Sequence, residues 1–420
     1  MKKMTKILGI TAIAAVMLFT MACEGPIGPA GPAGPVDVFT VTFDTGTGGS
    51  AIASQKVISG GIAIEPRKKP SKAYTPVTEA DLYRLPQFVE WQKDGVAFDF
   101  DTPITANTTL TAKWKDQEKL THTATGGDSF VERAINRIST EGPGEYLIAI
   151  NADDAGFTNA MPDREINNNT KVTIIGLGSE RIISQLDDGI AFILGGPGVT
   201  GVSLTLGENI KLVGKAGNGS PLVVVNEGAT FTMLAGSTIT GNENISMGEA
   251  AAVKVVGTFV MKGGTITACG TVAVGITPRS TFVMEGGSIS GTSPIIPSIS
   301  VDVFVERDAA CTLSGSATVG NICMIYDTAS TTAKFTPVTI VPGWTGGFKL
   351  NLIDDVSATI TAAKTTWNGK TVLKSSTTTA LTSAIIGRVT FGKLILMNPP
   401  TFTNANISGP ISTTGVLTVN

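Results

Sequence analysis

The sequence is poor in the residues from which most active sites are built. Its 420 residues include one histidine, and only 15% of them are charged. A single histidine argues against a Ser-His-Asp triad and against a zinc site built on several histidines. That residue, His122, lies in a polar segment, and we interpret it as a solvated linker residue. We expect no cofactor and no metal ion.

Cysteine and basic clusters are also scarce. Apart from Cys23, the cysteines are Cys269, Cys311 and Cys323, and an odd number does not make a disulfide framework. We interpret Cys311 as a small buried apolar residue. The chain carries 31 basic and 34 acidic residues without a basic cluster. Nucleic-acid binding needs a positive surface, so we expect no nucleic-acid partner.

A repeated apolar phrase is the most informative feature that the sequence does contain. It reads NEGATFTMLAGSTITG at 226–241, VVGTFVMKGGTITACG at 255–270 and TPRSTFVMEGGSISG at 277–291, with a weaker copy at 307–321. One strand phrase per 20 to 50 residues predicts a solenoid, and the fold class is therefore all-β. The residues that should form its inward columns are Phe231, Phe259 and Phe282, then Met233, Met261 and Met284, and finally Ile239, Ile266 and Ile289.

The stack should extend beyond these copies and begin with a helix. Leu204 precedes Phe231 by 27 residues, and Val338 follows Cys311 by 27. In DSFVERAINRIST, five apolar residues recur at helical spacing, and Asp128 or Ser129 is placed to cap the start. We therefore predict a stack over 127–342 with an N-terminal capping helix, because an uncovered first turn would expose apolar columns.

The stack phrases also resemble a known fold. TLGENIKLVG, GSPLVVVNEGATFTM and MEGGSISG are similar to the pectin-lyase-like right-handed parallel β-helices of spirochaete and Bacteroides-type surface lipoproteins. The resemblance implies a right-handed β-helix. Residues 343–420 keep strand-like segments but lack the glycine corners, which predicts a C-terminal β-rich cap folded on or beside the stack.

The N-terminal segment has the pattern of an export signal. Three lysines precede the apolar run ILGITAIAAVMLF, which is short for a membrane span of about 20 residues. Residues 1–22 resemble a bacterial lipoprotein signal peptide, which implies cleavage before Cys23 and lipidation of that cysteine. Ordinary signal-peptidase cleavage nearby is the alternative. The Gly-Pro triplets within 23–37 predict an extended spacer.

Residues 38–115 form a separate module in this interpretation, followed by a linker at 116–126. VTFD at 41–44, FDFDTPIT at 98–105 and NTTLTAKW at 107–114 resemble the Listeria/Bacteroides repeat known from internalin B. The resemblance implies a small β-grasp-like module of a surface protein. An insertion carrying TEADLYRLP departs from the family pattern, and Trp91 and Trp114 are predicted to lie in the core of the module.

The sequence leaves two functions open. β-Helices that the stack resembles include polysaccharide lyases and glycoside hydrolases, whose sites need carboxylates, in some cases with a basic residue. The candidates are acid pairs and two arginines, although acid pairs beside Gly or Ala more often occupy turns: Asp153 with Asp154, Asp187 with Asp188, Asp354 with Asp355, Arg164 and Arg181.

The favoured function is not catalytic. We expect a monomeric protein held to the outer membrane by its lipid and exposed on the cell surface, where it mediates adhesion to, or recognition of, a host or matrix glycan or protein. Outward threonines such as Thr232, Thr265 and Thr267 either contact that ligand or are solvated strand positions. The alternative is a polysaccharide-degrading enzyme of the β-helix type.

Overall fold

The protein is mostly β-structure, with 45% of residues in strands and 7% in helices in the computed structural model. The predictions for residues 1–35, including Cys23, and for His122, Asp128, Arg164 and Asp355 lie outside the described residues. The structure describes residues 36–120, 129–158, 165–166, 169–243, 251–293, 300–326, 335–354, 357, 359–398 and 401–419.

The elements follow one another in a regular order. The first seven strands are β1 Val38–Asp44, β2 Gln55–Ile58, β3 Asp81–Arg84, β4 Gln87–Lys93, β5 Val96–Ala97, β6 Thr108–Lys115 and β7 Glu118–Leu120. Next come α1 Phe130–Glu141, β8 Gly144–Ile150, β9 Glu165–Ile166, β10 Thr170–Gly176, β11 Arg181–Ser184, β12 Phe192–Leu194, β13 Val202–Leu206, β14 Ile210–Val213 and β15 Val223–Val225.

The central part continues with β16 Ala229–Met233, β17 Ser237–Thr240, β18 Val253–Val255, β19 Thr258–Met261, β20 Thr265–Thr267, β21 Val272–Ile276, β22 Thr281–Met284, β23 Ser288–Ser290, β24 Val301–Val305, β25 Ala310–Leu313, β26 Thr318–Val319 and β27 Asn321–Tyr326. The chain ends with β28 Val338–Ile340, β29 Phe348–Asp354, α2 Ile360–Trp367, β30 Leu373–Ser375, α3 Ser383–Ile386, β31 Val389–Asn398 and β32 Thr401–Asn406.

The chain divides into two compact units, and the first contains most of a five-stranded sheet. Its described residues are 36–46, 51–68 and 90–112. The strand order is β2-β1-β6-β4-β5, in which β1 runs parallel to β6 and antiparallel to β2. Trp91 is 2% exposed and packs edge-to-face on Phe43, with ring centroids 4.9 Å apart. Trp91 therefore lies in this unit's core, as the sequence predicts.

The second unit is built from three sheets whose strands are mainly parallel. This arrangement is compatible with an all-β parallel solenoid. We call the sheet of eleven strands, from β7 to β30, the long sheet, and the sheet of ten strands, from β9 to β32, the third sheet. The short sheet has the six strands β11, β14, β17, β20, β23 and β26. From β10 to β27 the chain visits the long, short and third sheets in that order, once per turn. Each turn therefore pairs with the turn before it and the turn after it.

The repeated phrases stack with their apolar residues in register. Phe231 pairs with Phe259, which pairs with Phe282, and all three are fully buried. The first two rings are stacked with centroids 5.0 Å apart, and the next pair is separated by 5.1 Å. The methionine and isoleucine columns pair in the same way, so the interior of the stack is continuous.

The three corners of a turn differ in how much the length of the connection varies. From β13 to β26, three or four residues join each strand of the long sheet to the next strand of the short sheet. Gly264 and Gly287 lie at this corner with φ of +82° and +85°, a conformation that favours glycine. Between the short and third sheets, by contrast, the connection from β14 to β27 varies from one residue to twelve. The third corner, from the third sheet back to the long sheet, has two to four residues from β15 to β25. In these central turns the length differences therefore collect at the second corner, which we call the variable corner.

Helix α1 precedes β8, the first strand of the second unit that pairs in parallel. The Oγ of Ser129 accepts a hydrogen bond from the backbone N–H of Glu132 at 3.0 Å, so Ser129 is the N-cap. Val131, Ala134, Ile135 and Ile138 are buried in the same apolar cluster as the first turns of the stack. The helix thus covers apolar side chains that the first turn would otherwise expose.

The N-terminal boundaries differ from the predicted ones. Residues 47–50, 69–89 and 113–120, predicted to belong to the module and linker, fall in the second unit. The TEADLYRLP insertion forms β3, which pairs antiparallel with β8 on one side and with β7 on the other. Trp114, predicted as a core residue, is only half-buried, and it lies edge-to-face against Phe88 with ring centroids 6.0 Å apart.

The C-terminal boundary at residue 342 also falls inside the sheets. β30 pairs in parallel with β28, and β31 pairs in parallel with β29, so the stack continues through most of the predicted cap. It ends where β32 folds back antiparallel on β31. The spacing from Val338 to its partner Leu373 is 35 residues, because helix α2 lies within this turn. A boundary predicted from glycine corners and from a period shorter than 35 residues therefore lies too early in the chain.

Candidate binding face

The outward side of the short sheet carries an ordered array of hydroxyl groups. In β17, β20, β23 and β26, the inward residues Ile239, Ile266, Ile289 and Val319 are buried. Alternation along a strand then turns the neighbouring residues to solvent. We call this array the hydroxyl face, and its members are Thr238, Thr240, Thr265, Thr267, Ser288, Ser290 and Thr318.

The hydroxyl face has the geometry of a two-row lattice. One row runs through Thr238, Thr265, Ser288 and Thr318, which pair in register between adjacent strands. The other row pairs Thr240, Thr267 and Ser290. Adjacent parallel strands lie about 4.8 Å apart, and alternate residues of one strand lie about 6.6 Å apart. Hydroxyl groups therefore recur at fixed intervals in two directions.

These hydroxyl groups are available to a ligand. Ser290 and Thr318 are exposed, and the other five side chains are half-buried. Thr318 donates to the carbonyl oxygen of Ser316 at 3.2 Å, whereas the remaining six side chains form no hydrogen bond within the described part of the chain. Each hydroxyl can both donate and accept. The face therefore offers neutral donors and acceptors together.

Charge is found at the border of the hydroxyl face rather than within it. None of β17, β20, β23 and β26 contains a charged residue. In the next strand, β14, the position in register with Thr238 is Lys211, whose Nζ lies 3.4 Å from the Glu180 carboxylate. The lattice consequently ends at a paired charge, and its own surface is uncharged.

The structure separates the three threonines singled out from the sequence. Thr265 and Thr267 share β20 and belong to the hydroxyl face. Thr232 also faces outward, but it lies in β16 of the long sheet between Thr205 and Val260. The row through Thr232 continues to Val283 and is therefore interrupted by apolar residues. The other outward row of the long sheet does hold hydroxyl residues in register, Ser203, Thr230, Thr258 and Thr281. The short sheet differs in presenting two such rows side by side.

The first acid pair stabilises turns near helix α1. Asp154 accepts hydrogen bonds from the backbone N–H groups of Val131 and Gly156, each at 3.0 Å. Asp153 accepts one from Ile182 at 3.0 Å. A cleft of about 250 Å³ lies beside both aspartates, with Phe130 on its wall. The contacts recorded for Asp153 and Asp154 are those expected of turn residues.

The other polar candidates also make structural contacts. Asp188 forms an exposed ion pair with Lys215 at 2.9 Å, and the carbonyl of Asp187 accepts from the side chain of Gln185. Asp354 is fully buried and accepts from the backbone and hydroxyl of Ser357. Arg181 donates to the carbonyl oxygen of Leu177. The described contacts do not bring these pairs together into one site.

The sequence prediction missed a row of buried polar residues at the variable corner. Asp302 is 1% exposed and accepts from the backbone and hydroxyl of Thr292 and from the side chain of Asn321. Asn218 and Asn242 are bonded side chain to side chain at 3.0 Å. The sequence does carry a signal for these residues: Asn242, Thr292 and Asn321 each lie two residues after the end of a short-sheet strand, so a polar residue recurs at the same position of the turn.

The three described cysteines are buried and free. Burial raises the pKa of Cys269 and of Cys311 to about 12, since the thiolate would lose its hydration. Burial raises the pKa of Cys323 as well, with a smaller contribution from Asp302. In the described ranges, no three His, Cys, Asp or Glu side chains are grouped as metal ligands, and no helix is long and apolar enough to span a membrane.

Comparison with known proteins adds no relative on which these residues could be aligned. No protein-family model, no curated protein and no solved structure matches the chain. The resemblances to the Listeria/Bacteroides repeat, to pectin-lyase-like β-helices and to lipoprotein signal peptides therefore stay predictions.

Proposed function

We propose that the chain is a non-catalytic recognition protein of the bacterial cell surface. In this proposal residues 1–22 are removed, Cys23 carries the lipid anchor in the outer membrane, and residues 23–37 act as the spacer. The first unit is a β-grasp-like module, and the second is a right-handed parallel β-helix that presents the hydroxyl face to a ligand. The observation that supports recognition is the regular hydroxyl lattice, in which six of the seven side chains form no hydrogen bond within the described part of the chain.

The chemistry of the face favours a neutral, repetitive glycan as the ligand. A polymer with hydroxyl groups at regular intervals offers acceptors and donors that complement the two rows. The four strands carry neither a charge nor an aromatic ring, so a sulfated or uronic acid polymer would find no counter-charge there. Single hydrogen bonds contribute about 0.5–1.5 kcal/mol each, and useful affinity therefore requires several to form on one polymer.

Digestion of intact cells tests the proposed location. We expect externally added protease to remove the described units from intact cells expressing the full chain, while a periplasmic control protein survives until lysis. Such a result follows if the lipid anchors the chain on the outer face of the membrane. Protection of the chain until the cells are lysed would contradict surface display and favour a periplasmic role.

Removal of two hydroxyl groups tests the proposed face. The double change Thr265→Val, Thr267→Val keeps β-branched side chains and therefore strand propensity, but it deletes the central hydroxyls of both rows. We expect the apparent affinity of the full chain for neutral polysaccharides, such as dextran, mannan or soluble β-glucan, to fall about tenfold or more. Two lost hydrogen bonds correspond to this change. Retention on immobilised polysaccharide measures it.

A matched variant on the long sheet serves as the control. Thr230→Val with Thr232→Val makes the same change in β16, outside the hydroxyl face, and should leave binding unaltered. Equal loss in both variants, or no binding to any neutral polysaccharide, would contradict the proposed face. Release of shortened oligosaccharides during the assay would instead favour the polysaccharide-degrading enzyme, and its loss in Asp187→Asn, Asp188→Asn would locate the site.

A further inference from the structure

A small cleft lies near the C-terminal end of the stack, on a different part of the second unit from the hydroxyl face. Its volume is about 270 Å³, and its wall is mainly apolar. The buried side chains of Ile340 in β28, Trp344, Leu381 and Ile385 in α3 line it from the protein interior. Its exposed apolar lining is Pro342, Ala380 and Ala384. A dry apolar cavity of about 150 Å³ is enough to hold benzene, so this volume suits a ligand of one or two rings.

The wall of the cleft is fixed by the surrounding structure. Trp344 is 2% exposed, and its Nε1 donates to the carbonyl oxygen of Ala317 at 2.8 Å. The backbone N–H of Leu381 donates to the carbonyl oxygen of Thr413 at 2.9 Å. Leu381 and Ile385 are both buried. The apolar surface is therefore already formed without a ligand, which lowers the ordering cost of binding.

One cation stands at the rim of this apolar wall. Arg388 lines the cleft, and its Nη1 donates to the carbonyl oxygen of Thr345 at 2.6 Å. This bond uses one of the five guanidinium N–H donors. Arg388 pairs with no carboxylate within the part of the chain that the structure describes. A guanidinium fork matches a carboxylate in both charge and geometry.

We propose that this cleft binds a small amphipathic carboxylate. The apolar body of the ligand packs on the exposed Pro342, Ala380 and Ala384 and reaches the small exposed part of Trp344, and its carboxylate accepts hydrogen bonds from Arg388. Neither part of the cleft alone selects this class, because an apolar wall would accept a neutral molecule and an exposed arginine would accept any anion. The combination favours a molecule that carries both groups a few ångströms apart. The proposal does not depend on the hydroxyl face.

Titration of the full chain with 2-naphthoate tests this site. Its two fused rings fit the volume, and its carboxylate is ionised at neutral pH. We expect saturable one-to-one binding by calorimetry, with a change in tryptophan emission that is lost in Trp344→Phe. Arg388→Gln should weaken the binding about tenfold, whereas Lys374→Gln, which removes an exposed charge from β30 outside the cleft, should not alter it.

A neutral ligand and a filled cleft make the test decisive. Affinity for 2-naphthylmethanol should be weaker and indifferent to Arg388→Gln. Ala384→Phe places a ring into the cleft from an exposed position of α3 and should abolish binding of both ligands without lowering the melting temperature. Absence of saturable naphthoate binding, full binding in Ala384→Phe, or equal affinity for the two ligands in the parent protein would each overturn the proposal.

Discussion

Phe259→Asp is expected to prevent cooperative folding of the stack. Phe259 is fully buried between the rings of Phe231 and Phe282. The aspartate would either place an unpaired charge among apolar side chains or hold a proton at a cost, and it would also remove both ring contacts. Replacing a buried Phe by a small side chain alone costs about 3–5 kcal/mol. Loss of the thermal transition in circular dichroism measures the effect.

The adjacent residue provides the matched control. Thr258 precedes Phe259 in β19 but faces outward and is half-buried. Thr258→Asp introduces the same charge into the same strand, and we expect the melting temperature to stay within a few degrees of the parent because surface substitutions usually change stability by about 0.5 kcal/mol or less. If Phe259→Asp melts like Thr258→Asp, the inward column is misassigned.

Gly257→Ala is also expected to destabilise the stack strongly. A Cβ at this position would lie 2.2 Å from the carbonyl oxygen of Asn226 and 2.6 Å from that of Ala229. Both contacts are with backbone atoms of the preceding turn, which cannot rotate away. We expect a loss of about 3 kcal/mol or more, since overpacking forces the backbone apart. Differential scanning calorimetry and resistance to protease measure the loss.

Gly219→Ala is the control for this substitution. Gly219 is exposed, and a Cβ there would meet no atom within 4 Å. Its stability should therefore equal or slightly exceed that of the parent, because alanine restricts the unfolded chain more than glycine does. A destabilisation of similar size in both variants would show that chain flexibility, rather than the close approach of two turns, decides the effect.

The interior of the stack was accessible from the sequence because its repeat is strict in one respect. Phe231, Phe259 and Phe282 recur at unequal spacing, yet each is followed by an apolar residue seven or eight positions later. These two positions flank the corner between the long and short sheets, whose length is nearly constant. Aligning the repeats at this corner therefore locates two inward columns at once. The C-terminal turns lack this marker, since α2 interrupts the turn that joins Val338 to Leu373.

The hydroxyl face was only partly predictable from the sequence. Alternation along a strand identifies Thr232, Thr265 and Thr267 as outward residues, but it does not say which sheet each belongs to. That assignment depends on where the chain turns, and the register between turns then decides whether hydroxyls align into rows. The cleft beside Trp344 was not accessible at all, because Ile340, Leu381 and Arg388 approach one another only after two turns have stacked.

The TEADLYRLP insertion was visible as a departure from a family pattern, but its role was not. Its residues form β3, which lies against β8 at the start of the long sheet and is itself followed by β7. An exposed strand edge invites pairing with other chains, and antiparallel strands at the start of a parallel sheet cover it. Local sequence does not specify such a long-range partner.

The variable corner has a consequence for how the protein can diversify. Connections there range from one residue to twelve, while the paired strands on either side keep their register. Lengthening a surface loop adds little entropic cost, about 0.6 kcal/mol for each doubling. Descendants of this chain can therefore gain or lose whole loops along one edge, while the apolar scaffold beneath remains the same.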